Sequence, residues 1–150
     1  MHKILFVCHG NICRSPMAEF VMKDKVRELG VEDRFEIASA ATSAEELGNP
    51  VYFGTREILA KHGISCEGKT ARRLTKKDYA LYDLLVGMET INLYNMRKIC
   101  GADSEKKMKR LLDFTDKPGD IDDPWYHNDF QRTWNEVNAG CDGLLKALGF

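Results

Sequence analysis

No stretch of the sequence approaches the about 20 consecutive apolar residues of a membrane-spanning helix. Met1-His2-Lys3 leads into an apolar run of only four residues, too short for a signal peptide. A surplus of charge is missing too. The 22 basic side chains meet 23 acidic ones for a formal net charge of −1, so neither a nucleic acid nor a membrane is an expected partner. There is no Cys-x2-Cys pair and no His-Glu-x-x-His run, so no metal site and no cofactor are expected. The five cysteines are odd in number and follow no disulfide-framework spacing, which fits a reducing cytoplasm. Internal repeats, low-complexity tracts and Gly/Ser/Pro-rich linkers are absent. The expectation is one compact domain over residues 1–150, long enough to bury a full core.

What the chain does have is concentrated near its start. Ile4-Leu5-Phe6-Val7 reads as a buried strand. Cys8 to Ser15 reads as a tight loop, and Pro16 opens a helix, because proline is tolerated where the first N–H groups have no partner. Strand, loop and helix N-terminus in that order form a cradle for an oxyanion. The backbone N–H groups of His9, Gly10, Asn11, Ile12 and Cys13 can converge on one point, and the helix dipole adds positive potential there. The same field stabilises a thiolate, which makes Cys8 a nucleophile near neutral pH. Arg14 offers a planar fork suited to two phosphate oxygens. Together they point to phosphoryl transfer without a metal.

The spacing alone is weak, since chance gives about 0.3 Cys-x5-Arg matches in a chain of this composition. A second match runs from Cys66 to Arg72, but no apolar strand precedes it and no Ser-Pro follows. Cys66 therefore reads as a buried small hydrophobe. Within the first loop, Ser15 can hydrogen-bond the Cys8 sulfur or simply cap the helix. Asn11 tolerates the left-handed backbone that an inward-wrapped loop requires.

Downstream, the first helix runs from Pro16 to about Leu29, with Gly30 as its stop. Phe35 to Ser39 reads as a second strand, Ala40 to Asn49 as a loop, and Pro50 to about His62 as a second helix in which Gly54 is a blemish. Leu84 to Met88 is a third strand, Glu89 to Cys100 a third helix, and Lys109 to Leu112 a weaker fourth strand. Asp113 to Trp125 is a loop rich in Asp, Pro and Gly, and Phe130 to Leu148 a closing helix. Strands alternating with helices at this spacing imply an α/β fold: a parallel sheet with helices on both faces and ligands outside the carboxyl ends of the strands.

Val7-Cys8-x-Gly10-Asn11-x-Cys13-Arg14-Ser15-Pro16-x-Ala18-Glu19 resembles the signature of the low-molecular-weight protein tyrosine phosphatases. The likeness continues through Ser39 to Ser43, Gly48-Asn49-Pro50 and Asp123-Pro124-Trp125-Tyr126, nearly the whole chain. It implies a three-layer fold with a four-stranded sheet in the order 2-1-3-4, a monomer or weak dimer, and a phosphotyrosine-containing protein as substrate. A thiolate attack on a phosphate ester also needs a general acid for the leaving group. Composition does not choose among Asp113, Asp116, Asp120, Asp122 and Asp123; the resemblance chooses Asp123. Trp125 and Tyr126 are either core aromatics or the walls of a slot for a phenyl ring. Glu45 would line the same mouth, where family members carry an aromatic.

By the same resemblance Ser39 braces Asn11, Cys13 traps an oxidised Cys8 as a disulfide, and Lys69 and Glu89 stand where the family has His and Asp. His9 is expected to contribute its backbone N–H only. Three rivals remain. A thiol-dependent arsenate reductase would need closely spaced relay cysteines, whereas Cys100 and Cys141 are far apart. A phosphoarginine phosphatase of the same family would carry Thr in place of Ile12. A non-catalytic oxyanion-binding or redox-sensing module would have no need of Asp123.

Overall fold

The computed structural model describes residues Met1–Phe150. Four parallel strands form one sheet: β1 (His2–Cys8), β2 (Phe35–Ala41), β3 (Leu84–Gly87) and β4 (Met108–Arg110), in the order β2-β1-β3-β4. Six helices accompany them: α1 (Arg14–Glu28), α2 (Phe53–Lys61), α3 (Lys76–Leu81), α4 (Thr90–Cys100), α5 (Pro124–His127) and α6 (Phe130–Ala147). β1 is hydrogen-bonded on both sides and covered on both faces, which explains why Ile4 to Cys8 is an unbroken buried run rather than an alternating one. Ile4, Phe6 and Cys8 face a core completed by Met17, Val21, Val137 and Leu144. Leu5 and Val7 face the other layer, with Leu85, Met96 and Met108. This is the three-layer architecture the sequence implies. Its register pairs Cys8 with Ala41 and Val7 with Gly87, so the loops leaving β1, β2 and β3 meet at one end of the sheet. No helix is long and apolar enough to cross a membrane.

Several boundaries move. α1 begins at Arg14, not Pro16; the proline sits two residues inside, still within the first turn, whose first helical backbone bond is Met17 N–H to Cys13 O at 3.2 Å. Gly30, at φ 73°, ends the helix as expected: its N–H bonds Arg27 O at 3.0 Å and Val31 N–H bonds Val26 O at 2.9 Å. α2 starts at Phe53 rather than Pro50, because Pro50 is drawn into an antiparallel bridge with Thr70. The fourth strand stops at Arg110, and Leu111–Phe114 tighten into a 3-10 turn. α3 was not anticipated, although Thr75 and Asp78 form the reciprocal cap that a Thr-x-x-Asp spacing encodes. α5 is a single turn that begins at the end of the expected loop and runs two residues past it, started by Pro124 and capped by the Asp123 side chain.

Gly54 is no blemish. A methyl group added there would lie 2.5 Å from the ring of Phe130, so the glycine is the seat on which the start of α6 rests. A Gly-to-Ala change inside a helix ordinarily stabilises by up to about 1 kcal/mol. Here overpacking outweighs that gain, and Gly54→Ala is expected to destabilise by about 1–2 kcal/mol, read from the urea unfolding midpoint. A raised midpoint would show that Phe130 yields freely.

Candidate active site

The loop between β1 and α1 is closed by a directional hydrogen-bond network. Asn11, buried and at φ 59°, has its amide orientation fixed by a backbone donor: Arg72 N–H reaches Oδ1 at 3.2 Å. Its Nδ2 therefore donates, to Ser15 Oγ at 2.8 Å and to Ser39 Oγ at 2.9 Å. The Ser39 hydroxyl donates in turn to Glu19 Oε1 at 2.6 Å. Ser15, accepting from Asn11, places its hydroxyl 2.9 Å from the Cys8 sulfur, where it can donate to a thiolate or accept from a thiol. Asn11 N–H donates to that sulfur at 3.3 Å. Cys8 Sγ thus has two hydrogen-bond partners within the loop, the Ser15 hydroxyl and the Asn11 N–H. Lys69 Nζ closes the back of the network on Ser39 O at 3.0 Å, with Glu19 Oε1 at 3.8 Å. Burial holds that lysine below its ordinary value, and Glu19 opposes the shift.

Arg14 is 2 % exposed. Its Nη1 donates to Ile121 O at 2.9 Å and to Glu89 Oε2, and its Nη2 lies 3.5 Å from Asp123 Oδ2. Burial works against the cation, but the negative charges at Cys8, Glu89 and Asp123 more than offset it, so the guanidinium is held above its ordinary value. Glu89, which stands where the family has Asp, supports the site by orienting the arginine. Cys13 behaves differently from Cys8. Burial first, then the charges of Cys8 and Asp123, push its thiol up to about 12, so it stays protonated and does not compete as a nucleophile.

A cavity of about 270 Å3 opens above the loop. Cys8, His9, Gly10, Ile12, Cys13 and Arg14 line its floor, Glu45 and Glu46 one wall, and Asp123, Trp125 and Tyr126 the other. Asn11, Ser15 and Ser39 lie beneath it as bracing residues rather than in its lining. Trp125 is 55 % and Tyr126 86 % exposed, which rules out the core reading of both. Asp123 Oδ1 accepts the Trp125 N–H at 3.0 Å, leaving Oδ2 toward Arg14. Asp122 is held instead by Arg132 at 2.6 Å. His9 corrects its expectation: its side chain sits in the mouth, with Nε2 3.1 Å from Glu45 Oε2.

Sequence reasoning missed Glu46, which lines the cavity, and Tyr52, whose ring packs edge-on against Trp125 with centroids 4.9 Å apart. No local pattern marks either. The second Cys-x5-Arg match forms no site, because Arg72 is engaged with Asp78 at 3.1 and 3.2 Å. Cys100 and Cys141 are buried outside the cavity lining, bonded to Thr75 O and Ala18 O, so the thiol relay of an arsenate reductase is not assembled.

A cysteine sulfur hydrogen-bonded to Ser15 and Asn11 at the end of a strand, with a helix start and a buried guanidinium beside it, suits the capture of a phosphoryl group on sulfur. That is the class of the cysteine-dependent phosphatases. The sequence model described as "Low molecular weight phosphotyrosine protein phosphatase" matches residues 3–149, and the chain belongs to that family, a cysteine-dependent protein tyrosine phosphatase.

Among its relatives is the low molecular weight protein-tyrosine-phosphatase YfkJ of Bacillus subtilis, 36 % identical over 150 residues, covering 99 % of this chain and 96 % of the relative. PtpA of Staphylococcus aureus is 34 % identical over 146 residues, covering 97 % and 92 %. The crystal structure of YfkJ superposes with a TM-score of 0.95 over 99 % of this chain and 94 % of that one. That of SP-PTP, a low molecular weight protein tyrosine phosphatase from Streptococcus pyogenes, is 38 % identical and gives 0.90 over 100 % and 95 %.

Proposed function

We propose that the chain, acting as a single catalytic domain, removes phosphate from tyrosine side chains of proteins with Cys8 as nucleophile, Arg14 as phosphate clamp and Asp123 as general acid and base. The Cys8 thiolate attacks phosphorus, so that an S–P bond forms as the bond to the phenolic oxygen breaks. Asp123 gives its proton to that oxygen, and tyrosine leaves. Water then attacks the phosphocysteine while the Asp123 carboxylate takes its proton. Phosphate departs and the thiolate returns. Arg14 and the N–H groups of the loop hold the phosphoryl oxygens through both steps.

The observation that carries this reading is the placement of Asp123. It lines the same cavity as Cys8 and Arg14, 25 % exposed at its side chain, while the neighbouring Asp122 is turned away to Arg132. The aromatic wall and Ile12 suit a phenyl ester, and Glu45 and Glu46 make the opposite wall acidic. The five thiols are all free, which suits a reducing cytoplasm.

The test is phosphate release, in chelator, from a phosphotyrosine peptide and a matched phosphoarginine peptide. The expected result is a kcat/KM for phosphotyrosine at least about tenfold higher. A preference for phosphoarginine would keep the cysteine mechanism and overturn the substrate; release from neither would overturn both.

A further inference from the structure

Tyr52 touches neither the thiol nor the carboxylate, yet it joins the two halves of the site. Its backbone N–H donates to Ile12 O at 2.8 Å, which ties it to the phosphate-binding loop. Its ring meets Trp125 edge-on at 4.9 Å and, at 5.8 Å, stacks with Phe130, whose ring occupies the space left by Gly54. Trp125 in turn meets Asp123 through its backbone N–H, which donates to Oδ1 at 3.0 Å, so the residue whose ring Tyr52 seats also carries the donor that holds the carboxylate. Two ion pairs also reach this tip: Arg14 Nη2 lies 3.5 Å from Asp123 Oδ2, and Asp122 meets Arg132 in an exposed pair, a class that contributes little in water. The aromatic contact is the apolar hold on the turn that carries the acid, and the one that ties it to the loop below through Tyr52.

We propose that Tyr52 is a positioning residue for proton delivery: its ring seats Trp125, and through Trp125 it keeps the Asp123 carboxylate above the phosphate-binding loop. The inference rests on the reading of Asp123 as general acid. A carboxylic acid displaced from the leaving oxygen slows the departure of a basic phenolate and hardly affects one that leaves unaided.

The experiment compares kcat/KM, which covers steps only through cleavage of the ester, for phenyl phosphate and p-nitrophenyl phosphate. Phenol is about as basic as a tyrosine side chain, near pKa 10, and needs the proton; p-nitrophenolate does not. The ratio of the two constants does not depend on how much of a preparation is folded, so a partly unfolded variant still reports. In Tyr52→Ala and Tyr52→Leu the ratio of phenyl to p-nitrophenyl phosphate is expected to fall about tenfold, a fraction of what general acid catalysis supplies. Tyr52→Phe, which keeps the ring, restores it to within about twofold of the parent.

An unchanged ratio in Tyr52→Ala overturns the inference, whether both constants fall together or neither falls. Asp123→Asn, measured on the same pair, separates the two readings. If it leaves the ratio unchanged, Asp123 is not the acid and both fail. If it lowers the ratio while Tyr52→Ala does not, only the role of Tyr52 fails.

Discussion

Cys8→Ser is expected to reduce phosphate release from a phosphotyrosine peptide by about 10⁴-fold or more, while inorganic phosphate still binds with affinity within a few-fold of the parent. The asymmetry follows from the division of labour in the loop. Sulfur is the atom that forms the bond, and a serine hydroxyl near neutral pH carries its proton and is a poor nucleophile. The groups that hold phosphate are elsewhere: Arg14 keeps its partners Ile121 and Glu89, and the start of α1 keeps its unpaired N–H groups. No second thiol can stand in. Cys13, the nearest in sequence, has its pKa pushed up to about 12, mainly by burial, and Cys66, Cys100 and Cys141 do not line the cavity. Phosphate release by stopped assay and phosphate binding by calorimetry would read the two halves separately. Residual turnover above about one per cent would show that another group attacks phosphorus, and loss of phosphate binding with turnover would show only a collapsed loop.

The part of the site most legible in the sequence is the part built by consecutive residues. A strand buried on both faces must be apolar throughout, so Ile4 to Val7 announces the centre of the sheet; Asn11 at φ 59° and the start of a helix near Pro16 follow from local backbone preference. Gly30 is legible for the same reason. Legibility fails where a distant partner decides. Pro50 reads as a helix start until Thr70 pairs with it, and Gly54 reads as a weak point until Phe130 fills its place. His9 looks like a backbone donor because nothing in the loop shows that Glu45 will face its ring. Glu89 is marked by resemblance alone, and only the fold shows that Arg14 is the side chain it supports. Tyr52 is the extreme case: its long-range partners are Ile12, Trp125 and Phe130, each on a separate element or loop, and no spacing encodes such a junction.

Asp123 shows the same limit at the chemical centre, since five aspartates share its loop and composition does not separate them; the resemblance names one, and the fold brings that one to the cavity. Asp123→Asn is expected to lower kcat on a phosphotyrosine peptide by about 10²–10⁴-fold. Phosphate affinity should hold or rise, because the change removes a negative charge 3.5 Å from Arg14, on the wall that an anionic ligand must approach. Asparagine is nearly isosteric and keeps an oxygen for the Trp125 N–H, so the cap of α5 survives and the loss reads as chemistry rather than unfolding. Asp122→Asn is the internal control. That carboxylate is 59 % exposed and bound to Arg132, so its loss should cost less than about threefold in turnover. The reverse pattern, with Asp123→Asn as fast as the parent and Asp122→Asn slow, would move the acid to Asp122. It would require the turn to rotate its first carboxylate inward and so break the Asp122–Arg132 pair. If both variants lose activity equally, the Asp122–Arg132 pair is itself needed to hold Asp123 in place, and an exposed ion pair contributes more to this turn than its class ordinarily does.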